Sequence, residues 1–132
     1  MDEILIPICG ESDIVVARHE GRALAVQLGF STSDQVLVTT AISEVARNII
    51  QYADHGRMTM SIVEEQDRRG IRIVAQDEGP GIQDVDLAMM DGYSTGGGLG
   101  LGLPGSRRLM DEFELWTQVG KGTRITMTKW AR

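Results

Sequence analysis

Two polar residues one helical turn apart, Glu44 and Asn48, are the first candidates for chemistry in this sequence. Residues four positions apart on an α-helix lie on the same face, so both side chains would project in one direction. They lie beside the apolar stripe of their predicted helix and so border the core without belonging to it. A carboxylate and a carboxamide placed in this way can address one metal-bound water and one metal ion, because magnesium prefers oxygen ligands and keeps several waters. The alternative is a solvated helix face with Arg47 as a neighbour.

The second candidate lies at the end of a predicted strand, where Asp77 is followed by Gly79 and Gly81. Asp77 has the same parity as Ile73 and Ala75, which predicts that its side chain points inward. A buried aspartate is costly without partners, and the amino group of an adenine can donate to it. The two glycines would let the backbone approach the ring closely. The alternative is a tight turn with a capping aspartate.

A glycine-rich segment near residue 100 is the third candidate. Backbone amides of such a segment can surround phosphate groups, and the helix predicted to follow it directly would add an N-terminus, which is itself an anion site. The alternative is a flexible surface loop. The candidate phosphate-binding residues are Gly96, Gly97, Gly98, Leu99, Gly100, Leu101 and Gly102.

Hydrophobic periodicity indicates the elements that must position these residues. The predicted order is a strand at 4–8, a helix from Ser12 or Asp13 to Leu28, a helix capped within 31–34 and ended at 54–56, strands at 58–62 and 71–77, a short helix at 84–90, a helix at 103–112, and strands at 113–119 and 123–130. We therefore expect an α+β fold, a two-layer sandwich with helices on one face of a mixed, largely antiparallel sheet. Residues 1–132 would form a single domain.

Composition argues against several classes of protein. The net charge is −6 and the only lysines are Lys121 and Lys129, so no basic stripe is available to neutralise a nucleic acid. The N-terminal apolar run is flanked by acidic residues and interrupted by Pro7, unlike a signal peptide, and no stretch reaches the roughly 18 apolar residues of a membrane span. Cys9 is the only cysteine, which rules out a disulfide within a monomer. We expect a cytoplasmic protein without nucleic-acid or membrane partners.

Four short motifs occur in an order and at a spacing that are together far more specific than any one of them: Glu44-x-x-x-Asn48, Asp77-x-Gly79-x-Gly81, Gly98-Leu99-Gly100-Leu101-Gly102 and Gly120-x-Gly122-Thr123. They look like the N, G1, G2 and G3 boxes of the GHKL ATPases, which have the Bergerat fold. The chain also contains Ala46-Arg47-Asn48-Ile49, Gly102-Leu103-Pro104-Gly105 and the ending Lys129-Trp130-Ala131-Arg132. With these segments the whole chain resembles, within that superfamily, the small anti-sigma-type serine/threonine kinases, the group that includes the switch kinases of stressosomes.

The resemblance implies ATP and Mg²⁺ as cofactors and gives each motif residue a role. Glu44 would be the general base toward the substrate hydroxyl, and Asn48 would bind magnesium. Asp77 would accept a hydrogen bond from the adenine amino group, and Thr123 would support the adenine through a water. The glycine-rich segment 96–102 would enclose the phosphates.

The resemblance also implies a function in bacterial stress signalling. The chain would phosphorylate a serine or threonine of a STAS-domain scaffold or antagonist protein in a partner-switching module. Once released from that scaffold, it would activate a PP2C-type phosphatase.

Three other functions remain as alternatives. The first is an anti-sigma factor that sequesters a sigma factor and has secondary kinase activity. The sigma-sequestering members often carry an arginine just before the glycine-rich segment, whereas this chain has Ser94-Thr95-Gly96 there. This difference leaves the cation on the γ-phosphate, beyond magnesium, unassigned, with Arg107 and Arg108 as candidates. The others are a nucleotide-binding module without activity, and a fragment of a sensor histidine kinase with His19 as phosphoacceptor.

Overall fold

In a computed structural model of the chain, the residues described are 3–83, 89 and 102–132. They form five strands and three helices, which we number in chain order. The elements are β1 (Ile4–Ile8), α1 (Glu11–Gln27), α2 (Thr32–Ala53), β2 (Gly56–Glu65), β3 (Arg68–Asp77), α3 (Gly102–Leu109), β4 (Glu112–Gln118) and β5 (Gly122–Trp130).

The strands form one sheet in the order β1-β2-β3-β5-β4. All four pairings between described strands are antiparallel, which fits the expected, largely antiparallel sheet, and none of these pairings is parallel. Consecutive strands β2 and β3 join through a tight turn, as do β4 and β5, and β5 enters between β3 and β4. Tight turns require antiparallel neighbours, which accounts for two of the four pairings.

Alternation along each strand separates an inner face, which packs under the helices, from an outer face. On β3 the inner face carries Ile71, Ile73, Ala75 and Asp77, all of them buried. The three helices cover this face, and α2 contacts both α1 and α3 as well as β3. The predicted two-layer arrangement is therefore confirmed.

The starts of the first two helices depend on local hydrogen bonds. Helix α1 begins after Gly10, and Asp13 is three residues inside it, with its Oδ2 accepting from the backbone N–H of Cys9 at 2.8 Å. The prediction that Ser12 or Asp13 caps this helix is thus wrong by two or three residues, because the carboxylate reaches back from the first turn. Helix α2 is capped as predicted, since Ser31 Oγ accepts from the backbone N–H of Asp34 at 3.1 Å.

The C-terminal third differs in detail from the expectation. Helix α3 ends at Leu109 rather than at residue 112, because the backbone of Asp111 already donates to Thr128 and strand β4 begins with the next residue. The helix predicted at 84–90 lies outside the described residues, apart from Met89. Of the helices in residues 3–83 and 102–132, none is long and apolar enough to cross a membrane.

Candidate functional site

Asp77 is the last residue of β3, and its carboxylate lies on the inner face of the sheet, at the edge of the core. Its residue is only 7% exposed, as its strand parity predicts. The backbone N–H of Gly79 donates to Asp77 Oδ1 at 2.9 Å. No arginine or lysine forms an ion pair with this carboxylate among the described residues. A carboxylate has about four acceptor positions, so it can accept further hydrogen bonds from a ligand.

Burial raises the pKa of Asp77 above the ordinary value of 3.8, because desolvation disfavours the charged form. Hydrogen bonds from the backbone of Gly79 and Thr123 act in the opposite direction and favour the carboxylate. The neighbouring charges of Glu78 and Arg57 have smaller and opposing effects, and these two side chains pair with each other at 2.9 Å. Desolvation is the largest of these effects, so Asp77 is a buried acceptor held mainly by backbone groups.

Glycines surround this carboxylate for reasons of packing. A Cβ on Gly79 would lie 2.5 Å from the Cβ of Ala53, the last residue of α2. Gly81 has φ +79°, and a Cβ there would lie 2.4 Å from the carbonyl oxygen of Gln118. Both residues therefore have to be glycine for the protein's own backbone to close up, whereas the sequence suggested only the approach of a ring.

A third glycine brings the terminal hairpin against the same strand end. Gly122 has φ +136°, and a Cβ there would lie 2.1 Å from the carbonyl oxygen of Asp77. The next residue, Thr123, is the cross-strand partner of Asp77 and is 4% exposed. The pairing of β3 with β5 thus places Asp77, the first residue of the G1 box, next to Thr123 of the G3 box.

The hydroxyl of Thr123 lies 3.0 Å from the hydroxyl of Thr117 on β4. Thr117 Oγ1 also accepts from the backbone N–H of Ile82 at 2.8 Å and lies 3.1 Å from the carbonyl oxygen of Gly122. Thr117 is not among the residues that the sequence predicts for the site. A single threonine at alternating parity in a strand carries no signal of its own, and only the pairing of β4 with β5 reveals its position.

On α2, Glu44 is buried at 6% exposure, whereas Asn48 is partly exposed. Glu44 therefore lies in the protein interior rather than at its border, and the alternative of a fully solvated face does not hold for it. Helical periodicity predicts only a place at the border of the core, so the burial of Glu44 reflects tertiary packing around α2. Arg47 lies 3.6 Å from Glu44 Oε1, at i+3 on the same helix.

The positions along α2 place these groups in order from the site of Asp77. Ala53 touches the Gly79 turn, Asn48 lies about 7.5 Å before it along the helix axis, and Glu44 about 6 Å further. The buried acceptor at the end of β3 is thus followed, along the neighbouring helix α2, first by the carboxamide of Asn48 and then by the carboxylate of Glu44. This arrangement suits an elongated ligand with a hydrogen-bonding head and a charged, metal-binding tail.

The remaining predicted residues lie either outside the described residues or on helices α1 and α3. Gly96 to Leu101 lie outside the described residues, and Gly102 is the first residue of α3. The candidate cations Arg107 and Arg108 are exposed in the last turn of that helix, not at its start. His19 is exposed on α1.

Comparison with known proteins gives the family. The sequence profile of the "Histidine kinase-, DNA gyrase B-, and HSP90-like ATPase" family matches residues 33–131. The serine/threonine-protein kinase RsbT of Bacillus subtilis (strain 168) is 51% identical over 131 residues, which are 99% of this chain and 98% of that protein. The anti-sigma F factor of Caldanaerobacter subterraneus subsp. tengcongensis is 33% identical over 119 residues, 86% of this chain and 82% of that protein.

Solved structures have the same fold at low sequence identity. The RsbU and RsbW domains of a Mycobacterium tuberculosis protein match with a TM-score of 0.67 at 18% identity, over 100% of this chain and 33% of that longer one. The SiaB-SiaC complex from Pseudomonas aeruginosa matches with a TM-score of 0.53 at 18% identity, over 96% of this chain and 89% of that chain. Because the sequence profile covers most of the residues and includes the Asp77 and Glu44 motifs, this chain belongs to the histidine kinase-, DNA gyrase B- and HSP90-like ATPase family.

Proposed function

We propose that this chain transfers the γ-phosphate of Mg-ATP to a serine or threonine of a STAS-domain partner in a bacterial partner-switching module. The family uses ATP, and identity of 51% to RsbT over nearly the whole chain makes this a serine/threonine protein kinase. One observation supports the detailed proposal most strongly. Glu44 is buried one turn from Asn48, on the helix whose last residue packs against the turn that holds Asp77.

The residues present fit an adenine nucleotide. Asp77 is a buried carboxylate without an ion-pair partner among the described residues, so a donor from a ligand would satisfy it. The amino group of adenine is such a donor. Thr123 lies beside this carboxylate and offers a hydroxyl to the same ligand or to a water that bridges to it.

The residues also fit a magnesium ion that is shared with phosphates. Asn48 offers a carboxamide oxygen on the partly exposed side of α2, and magnesium in nucleotide sites is held by few protein ligands, with waters and phosphates completing its shell. Magnesium would neutralise phosphate charge there. The glycine-rich segment 96–102 would donate its amides to the same phosphates.

Glu44 is suited to act on the substrate hydroxyl. As the hydroxyl oxygen forms its bond to the γ-phosphorus and the bond to ADP breaks, the hydroxyl proton passes to the Glu44 carboxylate. The carboxylate is buried, and Arg47 at 3.6 Å restricts where it can point. A base held in one orientation is effective because phosphoryl transfer depends chiefly on positioning.

The partners are inferred from the resemblance to the stressosome switch kinases. A STAS-domain scaffold or antagonist would receive the phosphate, and release from it would free the kinase to activate a PP2C-type phosphatase. The experiment is a pull-down from the native cell with the full chain as bait, followed by incubation of each captured protein with radiolabelled ATP and the kinase. We expect a STAS-domain protein that becomes labelled on serine or threonine. Capture of STAS proteins without any transfer would contradict the kinase assignment.

A second candidate function is sequestration of a sigma factor. Its support is the 33% identity to an anti-sigma F factor over 86% of the chain. In the same pull-down, capture of a sigma factor in place of STAS-domain proteins would favour this function over the first. The absence of an arginine before the glycine-rich segment is the sequence feature that favours the kinase.

A further inference from the structure

The hydroxyl of Thr117 has three neighbours around one atom, and this arrangement points beyond the roles already proposed. We infer that Thr117 is a positioning residue for nucleotide recognition. Its hydroxyl accepts the proton of the Thr123 hydroxyl, so that the oxygen of Thr123 acts toward the base only as a hydrogen-bond acceptor. The inference rests on the proposed function, namely that the nucleotide binds at Asp77. It adds a reason why this site would prefer a base whose edge donates a hydrogen bond to Asp77 and Thr123 over a base whose edge accepts one.

The geometry is a row of three residues across adjacent strands. Asp77 on β3 pairs with Thr123 on β5, which pairs in turn with Thr117 on β4. The three side chains share the inner face of the sheet at its end. Thr117 is the member of the row furthest from Asp77, so it can act on a ligand at that carboxylate only through Thr123.

Counting donors and acceptors assigns the direction of each hydrogen bond. A threonine hydroxyl has one proton and two lone pairs. At Thr117 one lone pair accepts from the backbone N–H of Ile82 at 2.8 Å. If its proton goes to the carbonyl oxygen of Gly122 at 3.1 Å, the second lone pair accepts the proton of Thr123 at 3.0 Å. Only this arrangement uses all three contacts at once.

The consequence falls on Thr123. Its single proton is committed to Thr117, so toward a ligand its oxygen presents lone pairs alone. The neighbouring Asp77 carboxylate also only accepts when it is ionised. Two acceptors side by side favour a group that donates, as the 6-amino group of adenine or a bridging water does. They disfavour a 6-oxo group, which would be left facing lone pairs.

Thr117→Val tests this, because valine has nearly the same shape and no hydroxyl. In the variant the proton of Thr123 loses its acceptor and becomes free to turn toward the ligand. We expect the affinity for Mg-ATP to fall about tenfold, equivalent to about 1.4 kcal/mol. The affinity for Mg-ITP, which has a 6-oxo group in place of the amino group, should stay unchanged or rise. The ratio of the two affinities is therefore the diagnostic quantity.

Two further variants complete the experiment, with calorimetry for both nucleotides and circular dichroism to confirm folding. Thr117→Ser keeps the hydroxyl and should restore the ATP-to-ITP ratio to within about twofold of the unmodified chain. Thr59→Val is the matched control, since it makes the same change on β2, on the outer face of the sheet, and should leave both affinities unchanged.

The outcomes separate this inference from the proposed function. If the unmodified chain binds no ATP, the proposed function is wrong and the inference falls with it. If the unmodified chain prefers ATP but Thr117→Val weakens both nucleotides equally, Thr117 only stabilises the fold and the inference alone is wrong. The inference is also wrong if a folded Thr117→Val protein has the same ratio of ATP affinity to ITP affinity as the unmodified chain.

Discussion

Gly79 donates its backbone N–H to Asp77 Oδ1 at 2.9 Å, and the same glycine lies against Ala53 at the end of α2. The turn that holds the buried carboxylate is thus packed on the helix that carries Asn48 and Glu44. The position of Asp77 relative to Asn48 and Glu44 therefore depends on this one contact between the turn and the helix. A change at this contact is expected to alter the position of Asp77 relative to α2.

Gly79→Ala is the most direct test of that contact. The added Cβ would lie 2.5 Å from the Cβ of Ala53, so the turn or the helix has to shift. We expect a loss of about 1–3 kcal/mol in the free energy of unfolding, the usual cost of overpacking, together with weaker ATP binding. Chemical denaturation and calorimetry measure the two effects. The double variant with Ala53→Gly should recover part of both losses, and no recovery would place the clash elsewhere.

Asp77→Asn should weaken ATP binding at least about tenfold, or about 1.4 kcal/mol. The reason is that the carboxamide oxygen would still accept from the backbone N–H of Gly79, so the NH2 group would lie where the adenine amino group needs an acceptor. The matched control is Asp67→Asn, in the turn between β2 and β3, where φ is 68° and asparagine is well tolerated. Unchanged affinity in a folded Asp77→Asn protein would remove Asp77 from the site.

The raised pKa of Asp77 predicts a specific dependence of stability on pH. In the unfolded chain this group titrates near 3.8, and in the folded chain at a higher pH, because burial disfavours the charge. The folded state therefore holds the proton more strongly. The contribution of Asp77 to stability is greatest below both pKa values and declines as the pH rises through the window between them.

The measurement is the free energy of unfolding of the ligand-free chain and of Asp77→Asn from pH 3.5 to pH 7, compared as a difference. Other carboxylates titrate in both proteins and cancel. We expect the stability of the unmodified chain, relative to the variant, to decline as the pH rises above 3.8 and then to level off. A difference that increases with pH would mean that hydrogen bonds to the carboxylate outweigh its desolvation.

Glu44→Gln and Asn48→Ala should separate catalysis from binding. Glu44→Gln should retain Mg-ATP, because the residue faces the incoming hydroxyl, while phosphate transfer to a STAS partner falls by about 10²–10⁴-fold, the usual effect of a positioned base. Asn48→Ala should impair both steps, since the loss of a magnesium ligand also disturbs the phosphates in the ground state. Radiolabel transfer and nucleotide affinity are measured side by side.

The control for the base is Glu64→Gln, in the exposed pair with Arg69 near the turn of β2 and β3. It should affect neither transfer nor affinity. The roles are misassigned if Glu44→Gln transfers phosphate normally, or if it loses ATP as severely as Asn48→Ala does.

Much of the fold could be predicted because its signals are local. Alternation of apolar residues indicated each strand and the buried side of Asp77, and Ser31 indicated the start of α2. Such patterns arise from the geometry of one helix or strand, so a short window of sequence contains them. The assignment of residues 1–132 to one domain, and the roles of the site residues, stay predictions.

Other features depended on contacts between segments far apart in sequence. The insertion of β5 between β3 and β4 places Thr123 beside Asp77 and Thr117 beside Thr123, and no local pattern encodes that neighbourhood. Tertiary packing buries Glu44, which helical periodicity alone placed at the border of the core. The sequence by itself thus determined which residues are candidates for the chemistry and, along the strands, which face each occupies, through short-range backbone geometry. Strand order and helix packing, which depend on the burial of surfaces distant along the chain, decided which of those residues meet.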